Sequence, residues 1–170
     1  MIDFTKLDYL KAGNDRQKRA YEVLTKYEVF EKLSSYSPIL AGTIPIEIDV
    51  EGSDLDIICE VNDKIKFKEF LNQNFSEFNL KTELISINNQ EYFICNFDLE
   101  EFPIEIFAQN KPTTQQNAYL HMIAEYRILQ EKGDEFKQRI IDLKKQGIKT
   151  EPAFGQLLNL ENPYEDLLKT

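Results

Sequence analysis

A chain of 170 residues with 42% apolar and 29% charged side chains fits one globular domain, with or without a small helical appendix, and excludes disordered or fibrous classes. Its 20 basic and 30 acidic residues give a net charge of −10, which disfavours nucleic acid, where basic side chains displace counterions, and an anionic membrane surface. No apolar run reaches the ~20 residues that cross a bilayer, no basic-then-apolar leader is visible, and Cys59 and Cys95 are too few for a disulfide framework, so the cytoplasm is the expected compartment.

Asn14, after Gly13, predicts the cap of a helix over 15–33, with Ala20, Val23, Leu24, Tyr27, Phe30 and Leu33 on one stripe. Pro38 opens a short buried strand, Ile39-Leu40-Ala41, that stops on a turn at Gly42. Residues 44–51 then alternate at strand period. Ile44, Ile46, Ile48 and Val50 share one parity, and Glu47, Asp49 and Glu51 form a wet face on the other. Gly52-Ser53 breaks this segment, and a strand is predicted over 54–61. A short helix over 64–75 carries Phe67, Phe70, Leu71 and Phe75. Strands are predicted over 80–87, 92–97 and 103–108, with a hairpin turn at Asn88-Asn89-Gln90. The remainder reads as helix: 115–132 capped by Thr114 and ended by Gly133, 134–146 capped by Asp134, then a short pair around Pro152 and Pro163.

This order predicts an α+β, or mixed α/β, domain with helices packed on a mixed sheet. Residues 1–111 are expected to form the α/β unit, and residues 112–170 a helical extension that packs on it as one compact body or forms a small second lobe.

The chemistry concentrates in one stretch. Asp54 and Asp56 are two apart in a strand, so both face the same way, while Leu55, Ile57 and Cys59 face the other. Adjacent carboxylates repel, and a cation between them relieves the repulsion. An oxygen-only donor set selects a hard ion such as Mg²⁺. Glu105, alone between Ile104 and Ile106, supplies a third carboxylate if its strand lies beside the first. Such a trio can hold two Mg²⁺ ions for an in-line phosphoryl displacement. The turn at Gly42-Thr43 offers free backbone N–H groups suited to phosphate.

Gly42-Thr43, then Ser53-Asp54-Leu55-Asp56-Ile57 on a strand and Glu105 on a later one, resembles the polymerase β-type nucleotidyltransferase superfamily. The likeness spans about residues 33–107, and the chain as a whole is similar to a small bacterial branch of that superfamily without an assigned substrate. Thr43 stands where the family's turn carries a second Gly or Ser. The resemblance implies transfer of a nucleoside monophosphate from an NTP to a hydroxyl. By position, it implies that Asp54 and Asp56 ligate two Mg²⁺ ions. Glu105 would ligate the catalytic ion and help deprotonate the acceptor, and Gly42 and Thr43, with Ser53 beside them, would contact the nucleotide.

Two further residues are candidates. Lys149, in a helix-stop segment ahead of Pro152, can meet a phosphate. His121, the only histidine, lies beside an apolar helical stripe with Glu125 one turn on, and is a candidate on the acceptor side. The expected partners are an NTP and a small-molecule or protein acceptor, because no basic stripe suits a polymer. The stretch 33–63 holds seven acids and no Lys, Arg or His. That imbalance supports an alternative of another class: a catalytically silent domain of the same fold acting as a protein-interaction, toxin–antitoxin-like module.

Overall fold

In the computed structural model, which describes residues 2–170, local signals set most of the helices. Helix α1 (Asp15–Lys26) starts in a capping box: Asn14 accepts from the Gln17 N–H, and the Gln17 side chain accepts from the Asn14 N–H. The predicted long first helix is broken. Glu28 takes a left-handed conformation (φ 54°), so the chain turns and resumes as the one-turn helix α2 (Val29–Lys32). Strand β1 (Ile39–Ala41) follows, then β2 (Leu55–Glu60), α3 (Lys64–Asn74), β3 (Lys81–Ile87), β4 (Gln90–Leu99) and β5 (Phe102–Gln109). Four helices complete the chain: α4 (Asn117–Lys132), α5 (Asp134–Lys145), α6 (Thr150–Leu158) and α7 (Pro163–Asp166).

The five strands form one mixed sheet in the order β1-β2-β5-β4-β3. Only the central pair, β2 and β5, is parallel. The β3–β4 hairpin closes on Asn88 and Asn89, both at positive φ (50° and 62°), which gives the backbone twist that a two-residue hairpin needs.

The alternating segment 44–51 is not a strand. It is a pair of turns in which Ile44, Ile46 and Ile48 are buried all the same. Pro45 has no N–H to give to a ladder, and Glu47 is left-handed at φ 60°. The side chain of Gln17, reaching over from α1, donates to the carbonyls of Ile44 and Pro45 at 3.0 and 3.1 Å. These buried carbonyls are therefore satisfied without a partner strand. Two predicted caps also differ: Gln116, not Thr114, precedes α4, and Gly133 at φ 79°, not Asp134, precedes α5.

Each face of the sheet has its own core. Leu55, Ile57, Cys59, Ile104, Ile106 and Ala108 pack with α1 and α3. On the opposite face Ile39, Ala41 and Ile58 pack with Met122, Ile128 and Leu129 of α4, Ile140 of α5 and Phe154 of α6. The C-terminal helices cover the β1–β2 end of that second face. Gln90 and Tyr92 of β4 and Phe107 of β5 lie where the cover stops, and they line a cavity.

Candidate active site

The cavity, about 840 Å³, opens between the sheet and the C-terminal helices. Residues carried forward from the sequence meet there: Gly42, Thr43, Ser53, Asp54, Asp56, Glu105, His121 and Lys149 all line it.

Strand pairing puts the carboxylates together. Asp56 lies opposite Ala41 of β1 on one side and opposite Glu105 of β5 on the other. Because β2 and β5 are parallel and in register, Asp56 and Glu105 leave the same face, as does Asp54 just before β2. Their apolar neighbours Leu55, Ile57, Ile104 and Ile106 are held in the opposite core, so the acids cannot rotate away without unpacking it.

Gly42 completes this wall. It adopts φ +83°, and a Cβ built there would stand 2.3 Å from Asp56 Oδ2. Only glycine allows both this backbone conformation and the approach of the carboxylate. Ser53 also lines the cavity. Its hydroxyl accepts from the Val50 N–H at 2.9 Å and closes the turn that delivers Asp54.

Charge crowding is marked. Burial, and then the charges of Asp54 and Glu105, push the Asp56 carboxyl up to about 8. Burial, and then Asp54, raise Glu105. Three oxygen-donor groups on one wall, with the charged forms of Asp56 and Glu105 disfavoured in the absence of a cation, fit divalent metal ions of the Mg²⁺ kind.

The opposite wall comes from the C-terminal helices. His121 and Glu125, one turn apart on α4, face Glu151 at the start of α6. His121 Nδ1 is 3.3 Å from Glu151 Oε1, and Nε2 is 2.8 Å from the Tyr164 carbonyl. The neighbour expected from helical spacing, Glu125, is not the histidine's hydrogen-bond partner. It is 4% exposed, and burial, then the Glu151 charge, lifts its carboxyl to about 8.

Lys144 of α5 also lines the cavity and donates to Thr150 Oγ1 at 2.8 Å. Burial lowers its pKa, against the opposing charges of Glu125, Asp49, Glu151 and Asp56. With Lys111 and Lys149 it supplies basic groups that the stretch 33–63 lacks. Asp63 caps α3 by accepting from the Lys66 N–H and pairs with the Lys66 ammonium, and Lys64 lines a separate neighbouring cavity with Lys111. Sequence reasoning missed Lys144 and Glu151. Both look like ordinary solvated helix residues until α5 and α6 are folded over β2.

The cysteines take no part. Both are buried in the first core, which pushes the Cys59 thiol up to about 12 and Cys95 to about 11.

Residues 22–170 match the family model of DUF4269, a domain of unknown function, and the chain belongs to that family. No curated protein sequence matches it. Among solved structures it is similar to Cid1, whose structure is described for RNA terminal uridylyl transferase activity. That match has 11% identity and a TM-score of 0.52, and covers 77% of this chain and 41% of that one. A Cid1 complex with the UTP analogue UMPNPP matches at 15% identity and TM-score 0.51, over 83% of this chain and 43% of that one. The GLD-2/RNP-8 complex matches at 10% identity and TM-score 0.54, covering 87% and 59%. This chain therefore spans about half the length of the structures it resembles. The likeness is one of fold, the mixed α/β fold of nucleotidyltransferases. Among the described residues no helix is long and apolar enough to cross a membrane.

Proposed function

We propose that this protein is a metal-dependent nucleotidyltransferase that moves a nucleoside monophosphate from an NTP to a hydroxyl of a small molecule or a protein. The observation that carries this reading is the in-register pairing of Asp56 with Glu105, beside Asp54 and under Gly42, on one wall of a cavity. Asp54, Asp56 and Glu105 would hold two Mg²⁺ ions, which when bound stabilise charge on the attacking and leaving oxygens.

The chain's own groups do the rest. Backbone N–H groups at Gly42 and Thr43 cradle the triphosphate. Lys144, Lys149 and Lys111 offset charge that the acidic stretch cannot. The acceptor oxygen bonds to the α-phosphorus as the bond from that phosphorus to the bridging oxygen breaks, releasing pyrophosphate. The hydroxyl proton passes to a Glu105 oxygen and on to water.

The solved neighbours include an RNA terminal uridylyl transferase. An RNA acceptor is disfavoured here by the net charge of −10, since phosphate contacts need a basic surface.

Calorimetry with NTPs in Mg²⁺ or in excess EDTA tests the site, and release of labelled pyrophosphate from γ-labelled NTP, with transfer of label from α-labelled NTP to the acceptor, tests the chemistry. Binding should require the divalent ion. Equal affinity in EDTA would indicate a lysine-based site instead. No binding in either condition would favour the catalytically silent interaction domain, the reading that the acidic 33–63 stretch supports.

A further inference from the structure

The helical wall of the cavity contains a second donor set, distinct from the three carboxylates on the sheet. His121, Glu125 and Glu151 each offer a ligand atom, and these atoms lie within 4.8 Å of one another. Two belong to α4 at i and i+4, on one helix face, and the third to the first turn of α6.

The hydrogen bonding of His121 constrains what lies between them. Its Nε2 meets the Tyr164 carbonyl at 2.8 Å, and a carbonyl can only accept, so Nε2 carries the hydrogen. In the neutral ring Nδ1 then presents a lone pair to a Glu151 carboxylate oxygen 3.3 Å away. Two acceptors then face each other, an arrangement relieved either by protonation of the ring, which Glu151 favours by raising its pKa, or by a cation between them. A charge-assisted hydrogen bond would draw the pair to about 2.7–2.9 Å. Two ligands of one tetrahedral ion, each about 2.0–2.1 Å from it, stand about 3.3–3.4 Å apart. The observed separation matches the second case. The backbone carbonyl behind the ring is also the outer partner that fixes the tautomer of a metal-ligating histidine.

Glu125 is the independent sign of a ligand. It is 4% exposed, makes no hydrogen bond or ion pair among the described residues, and opens on the cavity. Its carboxylate oxygens are not sealed in the core but open on the cavity, where a bound cation would complete them.

We propose that His121 Nδ1, Glu125 and Glu151 bind one divalent transition-metal ion of the zinc class. An imidazole with two carboxylates suits such an ion rather than Mg²⁺, which takes oxygen donors and keeps its waters. Two carboxylates and a neutral imidazole balance its charge. The ion ties α4 to α6, and three protein ligands leave a fourth position for an oxygen donor. The inference stands independently of the nucleotidyltransferase reading.

His121 is the chain's only histidine, so its imidazole can be observed without ambiguity. The full chain, stripped with chelator, is titrated with ZnCl₂ and followed by ¹⁵N NMR of the ring, then with CoCl₂ and followed by visible absorption. The Nδ1 resonance should move on Zn²⁺ addition while Nε2 keeps its hydrogen, and Mg²⁺ in large excess should not reverse the change. Co²⁺ should give the spectrum of a four-coordinate ion, retained in Asp54→Asn/Asp56→Asn. Binding should be lost in Glu151→Gln and weakened in Glu125→Gln, yet persist in Asp54→Asn/Asp56→Asn. An unmoved Nδ1 resonance in the unmutated chain would overturn the proposal, whatever the variants' folding. Co²⁺ binding that disappears only with Asp54 and Asp56 would do the same, placing the ion on the sheet.

Discussion

Replacing Asp56 by Asn separates a group kept for a site from one kept for the scaffold. Asn has nearly the same shape, keeps an oxygen beside Gly42 and can donate to the neighbouring carboxylates, but it cannot ionise. Asp56 titrates near its ordinary 3.8 in the unfolded chain and at about 8 in the folded one. Between these values the folded state holds a proton that the unfolded state has released. Stability from this group is thus complete below the lower value and lost progressively as pH rises towards the higher one, at up to ~1.4 kcal/mol per pH unit. From pH 4 to pH 7 the loss has a ceiling of about 4 kcal/mol, and a gain of about 2–4 kcal/mol is expected for the metal-free variant at pH 7. At about 2–4 °C per kcal/mol for a chain of this size, the variant should melt about 5–15 °C above the parent. The difference should shrink towards pH 4 and flatten above pH 8. Adding Mg²⁺ with NTP should stabilise the parent by about 2.7 kcal/mol at a hundred times the dissociation constant and leave the variant unmoved. Melting curves in EDTA across pH, repeated with Mg²⁺ and NTP, measure both effects. A variant that melts below the parent at every pH, with its nucleotide response intact, would refute the assignment of Asp56 to the site.

Other substitutions probe the supports of the same cavity. Gly42→Ala forces a side chain into φ +83° and against Asp56 Oδ2, so a loss on the order of 1–3 kcal/mol is expected in thermal melts, with the nucleotide-induced shift lost as well. Gln17→Leu strips two buried carbonyls, those of Ile44 and Pro45, of their donor, and should cost roughly 1–3 kcal/mol by urea unfolding although its side chain hydrogen-bonds to no site residue. Phe154→Ala empties a fully buried position where α6 packs on α5 through Phe136, and should cost about 3–5 kcal/mol, with hydrogen exchange rising first in α6. If exchange rose equally in α1 and α3, the two cores would unfold together and not as separate units.

What the sequence settled by itself was local. Period-two burial marked β2 and β5 because each strand has one face in a core: Leu55, Ile57, Ile104 and Ile106 pack on one side and leave Asp56 and Glu105 to the other. The Asn88-Asn89 hairpin, the Asn14 cap and the Gly133 stop were legible for the same reason, each resting on backbone chemistry within a few residues. The tertiary structure decided whatever depended on a distant partner. The apolar alternation of 44–50 is the same pattern that marks a strand, yet here it comes from three isoleucines buried by different neighbours in turns held by Gln17. The left-handed Glu28 that cuts the first helix carries no glycine to announce it. The wall facing the carboxylates could not be read at all. Lys144 and Glu151 reach the cavity only because α5 and α6 pack over β1 and β2, and Glu151 displaces the i+4 neighbour Glu125 as the partner of His121. A helical repeat specifies which residues share a face, but it holds no information about what that face will meet.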